Sequence, residues 1–85
     1  MITGAQLRGA RALLRWSAEE TAKRVKVTRK TIERLEQADG PLNARALTID
    51  SIRQVFEEAG VEFIGNAEEG PGLRLWGNSR PGGSS

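Results

Sequence analysis

The 85-residue chain contains no cysteine and no histidine. Together these absences remove disulfides, thiolate nucleophiles, imidazole acid–base chemistry and the ordinary zinc and haem sites. No metal and no other cofactor is expected. Nor is there a stretch approaching the ~20 apolar residues of a membrane-spanning helix. The first residues do not combine a charged head with an apolar run and a cleavage site, so a cytoplasmic protein without a membrane partner is expected. The acids that might serve catalysis come as sequence neighbours, Glu19-Glu20, Glu57-Glu58 and Glu68-Glu69, and neighbours on a helix point apart rather than sharing one site. Gly70-Pro71-Gly72 lacks the following lysine of a phosphate loop. No catalytic residue is assigned, and no enzymatic activity is expected. A chain this short buries about 60 to 65% of its unfolded surface, which leaves one domain with a small core.

Hydrophobic residues make up 38% of the chain and charged residues 28%, a balance that folds rather than one that stays disordered. The net charge is only +2, but it is unevenly placed. Residues 1–45 carry ten cations and five acids, whereas residues 46–85 carry three cations and six acids. The basic half is therefore the half in which to seek an anionic partner.

Thr3 and Gln6 have the spacing of a reciprocal capping box. Leu7, Ala10 and Leu14 then recur on one face, with Leu13 alongside, and Arg8, Arg11 and Arg15 fall elsewhere as a solvated face. A helix over about 3–15 follows, weakened by Gly4 and Gly9 by up to ~1 kcal/mol each relative to alanine. Ser17 and Glu20 form a second capping box after Trp16, whose ring is expected to pack at the helix start. A short helix, about 18–25, comes next. After Lys26 and Val27, Thr28 offers another N-cap for a helix over about 29–38, with Ile32 and Leu35 on one face. Asp39-Gly40-Pro41 stops it. Thr48 is the expected cap of a fourth helix, whose stripe is Ile49, Ile52, Val55, Phe56 and Ala59 and whose stop is Gly60. Residues 42–47 read equally as a further helical turn or as a loop. The period then changes to two in Val61–Ile64 and again in Leu73–Trp76, which predicts a hairpin over 61–76. Such a hairpin is marginal alone and must pack on the helices or on a second copy. Residues 77–85, rich in Gly, Ser and Pro, read as a mobile tail. The fold class is thus mainly α, four to five helices followed by a short C-terminal β-hairpin.

Two short helices joined by a short turn, the second studded with long polar side chains, form the pattern in which the second helix enters the DNA major groove. Trp16 to Gln37, W-S-A-E-E-T-A-K-R-V-K-V-T-R-K-T-I-E-R-L-E-Q, resembles the lambda-repressor-like helix-turn-helix family of transcriptional regulators, the Cro/C1 or XRE type. Ala22 matches its small mid-helix residue. Val25, Val27, Ile32 and Leu35 match the apolar residues around the turn, and Ile32 to Glu36 is typical of the family. The resemblance covers about residues 3–60 and departs in three places. Ala18 stands where glutamine is usual, Thr21 where leucine is usual, and Lys26 where the turn usually has glycine. Thr21 must hydrogen-bond its hydroxyl back to a carbonyl to be tolerated near the core. Lys26 must either accept a left-handed backbone or reshape the turn.

Between residues 23 and 34 lie Lys23, Arg24, Lys26, Arg29, Lys30 and Arg34 against the single acid Glu33. Phosphates reward such a run through release of condensed counterions. The resemblance places Arg29, Lys30 and Arg34 at base-facing positions, where Arg and Lys favour the O6 and N7 acceptors of guanine. Thr28 and Thr31 are candidates for phosphate or thymine-methyl contacts, and Ser17 and Lys26 complete the expected DNA-binding set with Glu33. Glu33 itself reads better as an i,i+4 partner than as a cytosine reader, whereas Glu36 reads equally as a structural partner of a cation near the N-terminal helix and as a functional residue.

The expected function is sequence-specific binding of double-stranded DNA by a transcriptional regulator, a repressor in the preferred form, acting as a homodimer with the hairpin as candidate dimer contact. Two alternatives share the fold. One is an antitoxin whose C-terminal segment occupies a toxin protein; the other is a protein–protein bridge with weak DNA affinity.

Overall fold

The computed structural model describes residues 2–66 and 68–77. The mobile tail expected over 77–85 therefore lies, apart from Gly77, outside the described residues. Four helices and one hairpin make up the described chain, in the order α1 (Gly4–Leu14), α2 (Ala18–Val25), α3 (Arg29–Glu36), α4 (Ala46–Glu58), β1 (Val61–Ile64) and β2 (Gly72–Leu75).

Local chemistry accounts for most of these limits. Thr3 caps α1 with both halves of the capping box present, its hydroxyl accepting from the Gln6 amide and the Gln6 side chain accepting from the Thr3 amide. Ser17 caps α2 by accepting from the Glu20 amide. The reciprocal half of this second box does not form, because the Glu20 carboxylate binds Arg24 one turn later. Thr28 caps α3 by accepting from the Thr31 amide. The third helix ends at Glu36, two residues before the expected limit, within the ordinary ambiguity of a fraying end.

The fourth helix begins earlier than its composition suggests. Its N-cap is Arg45, which makes no side-chain cap bond, and Thr48 lies inside the helix. Ala46 and Leu47 are strong helix formers and extend it by a turn. Leu47 is 81% exposed, so this turn adds nothing to the apolar stripe that marks the rest of α4. Ile52 and Phe56 of that stripe are fully buried.

Strands β1 and β2 pair antiparallel with Val61 opposite Leu75, Glu62 opposite Arg74, Phe63 opposite Leu73 and Ile64 opposite Gly72. The second strand starts one residue earlier than expected, yet the Trp76 amide still donates to the Gly60 carbonyl at 2.7 Å, so pairing continues to the expected end. Side chains alternate across a sheet. Val61 and Phe63 accordingly turn into the core beside Phe56, while Glu62 lies on the other face with Arg74 and Trp76. The hairpin packs on α1 and α4 of its own chain. It is anchored by the Gln6 side-chain amide, which donates to the Ile64 and Gly72 carbonyls at 3.0 and 2.7 Å.

The core unites Ile2, Leu7, Ala10, Val25, Leu35, Leu42, Ile52, Phe56, Val61 and Phe63. Trp16 packs on Phe56 with ring centroids 5.0 Å apart, and Phe56 meets Phe63 edge-on at 5.8 Å. This aromatic line ties the start of α2 to α4 and β1. Gly4 has a separate function. A Cβ there would lie 1.8 Å from the Ala38 carbonyl oxygen and 2.7 Å from that of Leu35, so only glycine lets α1 approach the end of α3 this closely.

Candidate nucleic-acid interface

The second and third helices are joined by three residues, Lys26 to Thr28. The chain leaves α2 through Lys26 in the left-handed region at φ 68°, and the Lys26 and Val27 amides both donate to the Ala22 carbonyl. Lysine thus takes the left-handed turn itself, as one of the two outcomes anticipated for this position, at a cost of about 1 kcal/mol. Thr21 is fully buried and its hydroxyl donates to the Ser17 carbonyl at 2.9 Å. The hydroxyl near the core is therefore satisfied within its own helix turn.

Successive helical residues are about 100° apart. On α3 this puts Ile32, Leu35 and Glu36 on the inner side, at 0%, 3% and 8% exposure. Lys30, Glu33, Arg34 and Gln37 take the outer side, with Arg29 and Thr31 on its two flanks. Arg29, Lys30, Glu33, Arg34 and Gln37 are exposed and Thr31 is half-buried. A shallow depression is lined by Lys30, Thr31, Glu33, Arg34 and Gln37. The structure thus brings Arg29, Lys30, Thr31, Glu33 and Arg34 onto one outward surface, with the exposed Lys26 and Thr28 at its N-terminal end and the exposed Ser17 at the head of α2.

These side chains are not equally free. Arg29 donates its Nε–H to Glu33 Oε2 at 3.0 Å, the i,i+4 pairing expected of Glu33. Arg34 Nη1 donates to the Asn43 carbonyl at 3.3 Å, a long and exposed contact. Thr28 Oγ1 is occupied by the Thr31 amide and hydroxyl, so its capping role competes with any outward contact. Lys23, Lys26 and Lys30 have no ion-pair partner among the described residues. Arg24 does not belong to the surface. Its guanidinium stacks over the Trp16 ring 4.3 Å from the centroid, binds Glu20, and borders a depression shared with Val55, Glu58 and Ala59 of the α4 side. Of the six cations between residues 23 and 34, one is thus held elsewhere.

Beneath this surface lies an ion pair that fixes the attitude of α3. Glu36 accepts from Arg11 Nε at 2.8 Å and from Arg11 Nη2 at 2.9 Å, a bidentate contact in which the carboxylate side chain is 9% exposed. Arg11 Nη1 also donates to the Trp16 carbonyl at 3.1 Å. The hydrogen bond to Glu36 raises the Arg11 pKa above its ordinary value, against the opposing effect of burial. Arg8 adds contacts to the Glu36 carbonyl and to Asp39. Arg11 is therefore not on a solvated face, which corrects the reading of Arg8, Arg11 and Arg15 as one exposed group. Of the two roles open to Glu36, the structure gives it the structural one, as the partner of Arg11. What sequence reasoning missed was which arginine it takes, since α1 and α3 are brought together only by the tertiary fold.

Comparison with protein-family models gives no match to this chain, and no curated protein matches it.

Proposed function

We propose that the chain is a sequence-specific DNA-binding transcriptional regulator of the lambda-repressor-like helix-turn-helix kind, which lays α3 in the major groove of duplex DNA. One observation carries this reading. The third helix buries Ile32 and Leu35 on its inner side while its outer side carries Lys30 and Arg34, with Arg29 exposed on the flank, on a pedestal formed by α1 and α2. A major groove about 12 Å wide admits a helix presented in this way. Arg and Lys near its N-terminal half reach guanine O6 and N7, while Lys23 and Lys26 supply charge for phosphates. Ser17, Thr28 and Thr31 contribute at the backbone, as far as their capping bonds permit.

A single module buries only about 600 to 1,000 Å² of protein surface on DNA, so the proposal includes a homodimer on a two-fold site. The hairpin remains the candidate contact. Val61 and Phe63 are committed to the chain's own core, whereas Leu75 on the second strand is 52% exposed.

Titration of binding to random-sequence duplex against salt tests the reading. Four or five phosphate contacts give a slope of log K on log salt of about −4. A slope near zero would overturn it in favour of a protein–protein bridge.

A further inference from the structure

The outer side of α3 contains one charge of the wrong sign for a polyanion. Glu33 stands among Arg29, Lys30 and Arg34 and is exposed. Left unpaired, it would repel phosphates and weaken binding to any sequence. It is engaged instead with Arg29, and the atom it engages matters. Arg29 begins α3 on its flank, directly after the N-cap Thr28, and Glu33 follows one turn later on the adjoining edge of the outer side. The bond uses the Nε–H of Arg29 at 3.0 Å, with the arginine side chain 64% exposed and the glutamate 48% exposed. A guanidinium has five donors in a planar fork. With Nε–H occupied, the four N–H groups on Nη1 and Nη2 remain, and no bond from them is formed among the described residues. Arg34 differs, since it spends an Nη atom on the Asn43 carbonyl.

We infer that Glu33 is a positioning residue that holds the Arg29 guanidinium so that its Nη1/Nη2 end reads a guanine, making Arg29–Glu33 the specificity-determining pair of α3. This deepens the DNA-binding reading above and rests on it. A flexible arginine must lose rotamer freedom to make a bidentate base contact, and a side chain already held loses less. The carboxylate also discriminates between targets. It disfavours the approach of phosphate oxygens to that flank but leaves a neutral base edge unopposed. Arg29 is thereby directed from backbone contact towards base contact, and sequence information comes only from the latter.

The test selects the preferred site of the intact chain from random duplex. It then measures binding of the wild type, Arg29→Ala and Glu33→Gln to that site and to versions with each guanine replaced. Arg29→Ala is expected to abolish the preference at one guanine per half-site, a loss of about 5- to 150-fold. Glu33→Gln, which leaves Arg29 in place, is expected to lower the preference at that same guanine by about 1.5- to fivefold, the range of an exposed ion pair. Its affinity for random duplex should rise, because a negative charge has been removed from the DNA-facing side. Unaltered circular dichroism and melting of Glu33→Gln would exclude a folding defect. The inference is overturned if Glu33→Gln changes all sequences equally, leaves the guanine preference intact, or alters a different base pair, as a direct cytosine reader would. These outcomes leave DNA binding by α3 standing. If the wild type shows no salt-dependent binding to any duplex, the DNA-binding reading itself falls, and the role given to Glu33 falls with it.

Discussion

Two glycines in α1 appear equivalent by helix propensity and are opposite by structure, so replacing each with alanine gives a sharp test of how α1 seats α3. At Gly4 the new Cβ would lie 1.8 Å from the Ala38 carbonyl oxygen, and ordinary contact begins at 3.4 Å, so the two backbones must separate by about 1.6 Å. Neither atom is a flexible side-chain end, and the shift also strains the Gly4 amide bond to the Gly40 carbonyl. Overpacking of this kind costs about 1 to 3 kcal/mol, more than the gain of up to ~1 kcal/mol from alanine propensity. At Gly9 the added Cβ meets only Leu73 Cδ1 at 2.8 Å, the end of a half-buried leucine that can rotate away. Because backbone meets backbone at Gly4, the cost there falls at the upper end of that range, and Gly4→Ala should lower stability by a net ~2 kcal/mol and the melting temperature by roughly 8 to 16 °C. Gly9→Ala should range from neutral to about 1 kcal/mol more stable. Urea unfolding followed by circular dichroism, compared at constant m, measures both. A Gly4→Ala protein as stable as the wild type would refute the close seating of α1 on the end of α3.

The remaining expectations concern the turn and the ion pair below it. Lys26→Gly should stabilise the fold by about 1 kcal/mol by relieving the left-handed backbone, and should make the slope of log K on log salt shallower by about 0.9 if Lys26 meets a phosphate; thermal melting and the salt titration report the two effects separately. Glu36→Ala should cost about 1 to 3 kcal/mol, because the half-buried Arg11 loses its bidentate partner, and the loss should persist at high salt, where exposed pairs such as Arg24–Glu20 are screened. Ile32→Ala should cost about 2 to 5 kcal/mol by denaturant unfolding, since the side chain is fully buried.

Much of the helical layout was legible from short-range chemistry. Thr3, Ser17 and Thr28 mark the starts of α1, α2 and α3 because a hydroxyl three residues before an amide is a local relationship that needs no tertiary partner. The outward surface of α3 was legible for the same reason, since the position of Lys30 and Arg34 opposite Ile32 and Leu35 follows from helical period alone. The start of α4 was not, because Arg45 caps it without a side-chain bond and the exposed Leu47 breaks the apolar stripe. The contacts of Arg11 and Gln6 were also hidden. Arg11 meets Glu36 across 25 residues, and the Gln6 amide, read as a cap, also reaches the Gly72 carbonyl across 66. Such pairings exist only once helices and hairpin are packed. Gly4 appeared as a weakness in a helix, whereas its purpose is contact with the end of α3.

The most direct measurement is the map of backbone amide shifts in a ¹⁵N-labelled sample titrated with its selected duplex. The largest changes are expected from Thr28 to Arg34 and at the head of α2 near Ser17, with the Glu62–Arg74 face of the hairpin little affected. Changes concentrated on α4 and the hairpin, with α3 unmoved, would contradict DNA binding by α3.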